Sequence, residues 1–376
     1  MTGKKIIFAV TNDLTYDRRM FRICAALSST GAEVTLVGRK LKNSIVFTPS
    51  HFRGLRFRCW FNKGPLFYIE YNKRLFFTLL RHDFDIVCAC DLDTALAVRL
   101  AAWVKMKKSV YDAHEYFSEV PELTQRPAIK KIWEWIAKRT IPGFDACYTV
   151  GEELASLMGR RYKVHFDVIR NIAPTAASGQ ALLQRDADEK ILLYQGALNV
   201  GRGLEACIEA MVHLPDWKFW LAGEGDITEQ LKELAKSSGV TDNVVFLGWV
   251  KPDHIPQLMK QARLSINLRE VGSLNDYYSL PNKFFDAMHA GLPSINMNYP
   301  EYATICNRYP CALLLDEVKV DKIVEAIEYL DQHPMVLQSM AEACGAAAKE
   351  YTWENEAKKL IEIYSHFKKY ETVSGV

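Results

Sequence analysis

Nowhere in the 376 residues does an apolar run reach the roughly 18 residues that a membrane-crossing helix needs, so the sequence predicts no spanning segment. A charged leader followed by an apolar stretch is also missing. Met1–Val10 runs straight into the strand-like Ile6, Ile7, Phe8, Ala9 and Val10, and the mature chain is expected to begin there. No paired CxxC motifs occur among the nine cysteines, and Cys88 and Cys90 lie inside an apolar stretch. Buried, reduced thiols and no metal site are therefore expected, with the cytoplasm as location. Neither a P-loop nor a GxGxxG fingerprint is present. A surplus of one charge is lacking too: the net charge is only +2. The basic residues are spread over many elements with no recognised module, which argues against nucleic acid as a partner.

The near-neutral total conceals a division. Residues 1–170 hold 28 Lys and Arg against 17 Asp and Glu, a net of +11; residues 171–376 hold 19 against 28, a net of −9. Such an asymmetry is expected where the first half faces something anionic, a membrane surface or a lipid diphosphate. A basic lobe pairing with an acidic one is the alternative. Two basic stretches rich in aromatic and aliphatic residues, 64–81 and 126–139, fit either peripheral contact with the inner face of a membrane or ordinary core packing with solvated charges.

About half of the residues are hydrophobic, and the length suits two domains. In residues 1–170, strand-like runs at Ile6–Val10, Glu33–Gly38, Asp85–Cys90, Ser109–Ala113, Ala146–Val150 and Val164–Ile169 alternate with helical spacing, as at Phe21–Ser29. The polar stretch 171–189, with Pro174 and Gly179, reads as a linker. A second series covers residues 190–352: Ile191–Gly196, Trp217–Gly223, Asn243–Val250, Leu264–Leu268, Pro293–Asn296 and Cys311–Leu315. Residues 353–376 carry a last helix, over about 353–370. Alternation of this kind predicts an α/β protein of two Rossmann-like lobes, each with a parallel sheet, and a ligand site beyond the carboxyl ends of the strands, in a cleft between the lobes.

Five segments could carry chemistry. Ser279-Leu-Pro-Asn-Lys-Phe-Phe-Asp-Ala-Met-His-Ala-Gly291 predicts a helix capped by Ser279, with Pro281 in its first turn and Gly291 at its stop. Phe284, Phe285 and Met288 form its buried face, while Asn282 and Asp286 share another. A diphosphate at the amino end would meet free N–H groups, the positive end of the dipole and Lys283. Asp286 lies about 6 Å further along the axis, where a carboxylate can accept hydrogen bonds from ribose hydroxyls. An ordinary capped helix with a solvated Asp286 has the same pattern. Tyr194-Gln-Gly-Ala-Leu-Asn-Val-Gly-Arg-Gly-Leu-Glu205 is a strand, a glycine loop and a helix. Gly196 there permits close approach of a phosphate and Arg202 offers a charged fork, although a plain tight turn reads the same. Leu221-Ala-Gly-Glu-Gly-Asp226, with Gly223 and Glu224, again follows a strand. Val244–Val250 ends where Val250 could present backbone groups to a base edge. In the first half, Tyr111-Asp-Ala-His-Glu-Tyr-Phe117 puts His114 and Glu115 at a strand end, beside the polar loops Thr11–Arg19 and Asp91-Leu-Asp93. A satisfied structural histidine is the plainer reading of His114.

Taken in order, YQGALNVGRGLE, LAGEG, VVFLGWV and SLPNKFFDAMHAGLP, preceded by NDLTYDRRMFR and DAHEYF, resemble the retaining glycosyltransferases of the GT-B fold, in the large family 4 group. The resemblance runs over nearly the whole chain. It implies a nucleotide-sugar donor of UDP or GDP type in the second lobe, a glycan or lipid-linked acceptor in the first, and a last helix crossing back to the first lobe. No tightly bound cofactor or metal is implied. Arg202 falls where the family has a basic phosphate ligand, Asp286 where it has a ribose-binding Glu, and His114 where it has a His beside the donor sugar. Ser279, Leu280, Asn282 and Lys283 fall on the phosphate-cradling loop. Three departures stand out. Tyr278 replaces the first of the family's two glutamates, with Asp276 or Glu270 as substitutes. Ala197 replaces a second basic ligand, for which Lys283 could compensate. The first-strand loop lacks paired glycines. A nucleotide-sugar epimerase, or a nucleotide-sugar-binding protein without catalysis, would share the scaffold.

Overall fold

The computed structural model describes residues 1–174 and 189–367. Most of the expected linker 171–189 and the end of the expected last segment 353–376 thus lie outside the described residues. The chain forms two compact units. One comprises Met1–Arg170 together with the chain from Glu356 onward, and the other comprises Asn171–Asn355.

The first unit is built on seven parallel strands: β1 (Lys5–Asp13), β2 (Glu33–Arg39), β3 (Arg53–Phe57), β4 (Ile86–Cys90), β5 (Lys108–Ala113), β6 (Ala146–Thr149) and β7 (Asp167–Val168). Their order is β3-β2-β1-β4-β5-β6-β7. Central β4, IVCAC, is buried at every position, the signature of a parallel strand covered on both faces. Edge strand β3, RGLRF, is half-exposed and carries two arginines and a glycine; it has no apolar run or alternation to announce it, and the sequence did not predict it. The first helix, Arg18–Ser28, starts three residues before the expected Phe21, because the Asp17 carboxylate accepts from the Met20 N–H at 3.0 Å and caps it.

Six parallel strands form the second sheet: β8 (Ile191–Gln195), β9 (Lys218–Ala222), β10 (Val244–Gly248), β11 (Leu264–Asn267), β12 (Ser294–Met297) and β13 (Ala312–Leu315). They are ordered β10-β9-β8-β11-β12-β13. Both sheets therefore have a switch point, β1/β4 in the first unit and β8/β11 in the second, where the chain leaves in opposite directions and the flanking loops part. Ligands of open α/β sheets bind at the carboxyl ends of such strands.

The helix Trp353–Ser365 contributes its latter part to the first unit. Tyr364, fully buried, lies 5.8 Å from the Phe8 ring of β1 and 6.5 Å from the Tyr148 ring of β6. At the other end of this packed stretch Glu356 accepts from the Arg170 N–H at 2.8 Å and pairs with its guanidinium at 3.6 Å, both residues being buried.

Candidate active site

In the second unit the switch point gathers positive charge. Gln195 ends β8, Gly196 follows it, and Arg269 stands two residues beyond the end of β11. The helix Asn282–His289 buries Phe284, Phe285 and Met288 in the core, and this burial turns Lys283 and Asp286 toward the end of β8. Lys283 Nζ sits 4.2 Å from the centroid of the Tyr194 ring. A Cβ placed on Gly196 would lie only 3.2 Å from the same nitrogen. Lys283 thus occupies the space beside the glycine loop that Ala197 leaves without a basic side chain. Asp286 accepts from Gln195 Nε2 at 3.0 Å, and Gln195 Oε1 is buried with no protein partner among the described residues.

Burial first, and the neighbouring charges of Arg202 and Arg269 next, lower the Lys283 pKa to about 7 against the opposing pull of Asp286. Among the described residues, neither Arg202 nor Lys283 makes an ion pair with a carboxylate, whereas Arg269 is paired with Asp276. Three neighbouring cations, only one of them paired with a carboxylate among the described residues, make a site short of an anion.

The predicted cap is corrected by the structure. Ser279 does not cap the helix. The capping position is Pro281, which has no side-chain cap bond, and the Ser279 hydroxyl instead donates to the Asp276 carbonyl at 2.8 Å. Proline at this point already fixes an extended entry, and Ser279 closes the preceding turn Leu274–Tyr277. Leu280 is a buried core residue, so only its backbone could serve a ligand. Asn282 is exposed in the first turn. Of the two carboxylates considered in place of Tyr278, Asp276 is buried and committed to Arg269 and to the Ser273 hydroxyl, at 2.9 Å. Glu270 is exposed, its N–H donating to Gly201 O at 3.1 Å.

The glycines also meet a packing demand that the sequence does not show. Gly223, at φ +156, lies so near the other loop that a Cβ would fall 1.9 Å from Gly196 O. The loops after β8 and β9 are laced together by Gly196 N–H to Ala222 O at 2.9 Å and Leu198 N–H to Glu224 O at 3.2 Å. Glycine is required at 223 by backbone meeting backbone. Glu224 is exposed and reaches toward Gly248 at the end of β10. Val250 is half-buried against the small apolar cluster of Leu193 and Met259.

In the first unit His114 stands just beyond the end of β5. Its Nε2 lies 3.0 Å from Asp112 Oδ2, its Nδ1 lies 3.5 Å from Asp91 Oδ2, and its N–H donates to Asp91 Oδ1 at 2.8 Å. Burial alone would lower its pKa, but the two carboxylates outweigh that and raise it to about 9, against Arg19. Around neutrality His114 is therefore a cation and a hydrogen-bond donor, unsuited to taking a proton. Asp112 is fully buried and also accepts from Arg19 at 3.0 Å. Burial raises Asp91 and Asp93 to about 6. Asp91 has φ +64, a strained conformation for a non-glycine residue that the bond to His114 N–H helps hold. Ligand-type atoms of Cys90, Asp112 and His114 lie within 4.8 Å of one another, but the Arg19 guanidinium already stands at Asp112 where a cation would bind. Arg19, in the first turn of the first helix, and Asp112, Gln195 and Arg269, at or just beyond the ends of β5, β8 and β11, were not foreseen; their place on the carboxyl side of the sheets was the available signal.

Two doubly wound parallel sheets, each with polar side chains converging on its switch point, define the class as the GT-B architecture. HepE of Anabaena, solved in complex with UDP, superposes with a TM-score of 0.74 over 96% of this chain and 100% of that one, at 15% identity. Residues 180–351 match the family model of Glycosyl transferases group 1, and residues 17–176 match that of Glycosyltransferase Family 4. In chain order, the first part thus resembles Glycosyltransferase Family 4 and the second Glycosyl transferases group 1, on a fold shared with GT-B glycosyltransferases. An uncharacterized glycosyltransferase of Methanocaldococcus jannaschii is 26% identical over 47% of this chain and 45% of its own length. The GDP-mannose-dependent alpha-(1-6)-phosphatidylinositol monomannoside mannosyltransferase of Mycobacterium tuberculosis is 29% identical over 38% of each chain. The matches thus span less than half the length of these curated relatives.

Proposed function

We propose that this protein transfers a hexose from a UDP- or GDP-type nucleotide-sugar to a glycan or lipid-linked acceptor at an anionic membrane surface, with retention of configuration and without a metal. The single observation that carries this reading is the anion deficit at the β8/β11 switch point, where Arg202 and Lys283 converge without an ion-pair partner among the described residues and Lys283 is held near pKa 7. Arg202, Lys283 and the amino end of the helix Asn282–His289, with the backbone of Ser279, Leu280 and Gly196, hold the diphosphate and stabilise the charge that grows on it as the sugar departs. Arg269 supplements them from its pair with Asp276. Asp286, oriented by Gln195, accepts from the ribose hydroxyls, and the loops bearing Gly223, Glu224 and Val250 take the base. Glu270, the uncommitted carboxylate of the two considered, faces the sugar. His114 donates a hydrogen bond to a sugar hydroxyl. The acceptor hydroxyl attacks the anomeric carbon from the leaving-group side; its oxygen forms the new C–O bond, the sugar–phosphate bond breaks, and the departing phosphate oxygen takes the proton.

The test is a thermal-shift panel of UDP, GDP, ADP and their sugars, since a ligand bound only by the folded state raises its stability. One nucleoside diphosphate series should raise Tm, and lose the effect in Arg202→Ala. No shift with any of them would end the reading. Anomeric configuration of the product by NMR tests retention, turnover in chelator tests metal independence, and incubation with donor alone separates transfer from epimerisation.

A further inference from the structure

The helices Gly64–Arg81, Leu92–Lys105 and Pro127–Thr140 join β3 to β4, β4 to β5 and β5 to β6. All three connections step the same way across the first sheet, so right-handed crossovers put the helices on one face of it. They pack side by side, and Tyr68 of the first meets Trp133 of the third at 5.0 Å. Each has a conventional core side, such as Tyr71 and Leu75, Val98 and Ala101, and Trp133 and Ala137. Their outer sides are unusual. The first helix presents Ile69 and Phe77 to solvent, the second Leu100 and Trp103, and the third Ile132 and Trp135. Ile69 is 65%, Trp103 69% and Trp135 57% exposed. Apolar side chains grouped on three adjoining helices, rather than scattered singly, mark an interaction surface.

The charge on the same helices points to the partner. They carry nine Lys or Arg against three acids, Glu70, Asp93 and Glu134. Glu70 offsets one of the nine, Arg74, at 2.7 Å, and Glu119 takes Lys130 at 2.8 Å, while Asp93 is buried and Glu134 is paired with Arg161 at 3.0 Å, so a basic surplus remains on the outer side. Exposed Lys73 stands one turn from both Ile69 and Phe77, and exposed Lys131, Lys138 and Arg139 flank Ile132 and Trp135. We propose that this three-helix face docks on an anionic lipid bilayer, with the aromatic and aliphatic side chains at the acyl boundary and the Lys and Arg heads among the phosphates. Aromatic rings suit the headgroup level, long basic side chains reach back to it along apolar stems, and anionic lipid supplies the missing negative charge. A second copy of the chain would oppose this positive face with itself, and the repulsion disfavours it. The docking rests on the proposed transfer only for its purpose, which is to bring the enzyme to a lipid-linked acceptor.

The test is co-sedimentation of the full chain with vesicles of phosphatidylcholine alone or mixed with phosphatidylglycerol. The chain should bind the mixed vesicles, bind neutral ones far less, and be released by high salt. Lys73→Glu/Lys131→Glu/Lys138→Glu should weaken partitioning by about tenfold or more, and Trp103→Ser/Trp135→Ser by about tenfold. Val212→Ser/Met335→Ser, at exposed apolar positions of the second unit, should bind as the unaltered chain does. Equal binding to both vesicle types, no binding, or full binding by the tryptophan variant would overturn the proposal. So would a dimer in sedimentation velocity that the tryptophan variant abolishes. Melting curves with UDP and GDP keep the two readings apart: an unaltered chain that shows the nucleotide shift but does not bind the mixed vesicles refutes only the docking, one that binds them but shows no shift refutes only the transfer, and a retained shift in the variants shows that they are folded.

Discussion

At the residue scale the second unit turns on how Arg202, Arg269 and Lys283 share one small region. Each guanidinium keeps its charge, so the strain of bringing three cations together falls on the lysine, whose pKa sinks to about 7 through burial first and its neighbours second. In an unfolded chain the same lysine keeps its proton to about 10.4. The unfolded state therefore binds more protons between these values, and Lys283 costs stability below pH 7, a cost that fades as pH rises toward 10. Ligand binding has the opposite sign. A diphosphate favours the ammonium form and raises its pKa, so at pH 8 binding should take up about one proton. Calorimetry of UDP or GDP binding in buffers of different ionisation enthalpy would show it, and Lys283→Met should abolish the uptake. No proton uptake by the unaltered protein would separate Lys283 from the phosphate. Arg202→Ala should lower turnover by about 10²–10³-fold at near-normal Tm, measured as sugar transfer. An unchanged rate would remove Arg202 from the site.

At the element scale the glycine loops show where sequence reading stopped. The strand–loop–helix order around Gly196 and Gly223 was legible from composition. Their use was not, because the need for glycine at 223 arises from Gly196, 27 residues earlier in the sequence, whose backbone oxygen lies 1.9 Å from the site of a Cβ. Gly223→Ala should cost about 2–4 kcal/mol, a fall in Tm of the order of 10 °C. Gly201→Ala, at φ +76 with nothing within 4 Å, should cost only about 1 kcal/mol of backbone strain. Equal Tm values would mean that the two loops are not locked together. The capping serine failed for a related reason. Ser279 has a suitable side chain, but Pro281 sits two residues nearer the helix and fixes its entry, and a single-residue preference does not reveal which will prevail. Asp286, Lys283 and the buried Phe284, Phe285 and Met288 could be placed because they follow helical periodicity, which survives a shift of the cap. Arg269, Gln195 and the Arg19–Asp112 pair could not, because their meaning lies in strand order. Strand β3 was invisible because an edge strand needs no apolar run.

At the scale of the whole molecule, the chain does not finish where its second sheet finishes. It returns to the first unit, with Leu360 and Tyr364 fully buried there. Tyr364 fills the place between Phe8 of β1 and Tyr148 of β6, and Glu356 supplies the buried partner of Arg170. Cutting the chain after Asn355 would therefore uncover aromatic rings at two strands and take from Arg170 its buried partner Glu356. Losing one buried aromatic side chain alone costs about 3–5 kcal/mol, and a domain holds only about 5–15 kcal/mol in all. The truncated protein should consequently lose amide-exchange protection in β1 and β6, while the second unit, whose strands and cation cluster are all retained, keeps its protection and its nucleotide thermal shift. Hydrogen exchange with mass readout separates the two units within one sample. Protected amides in β1 and β6 after truncation would mean that the first unit is complete without the returning helix, and that its contribution to stability is small.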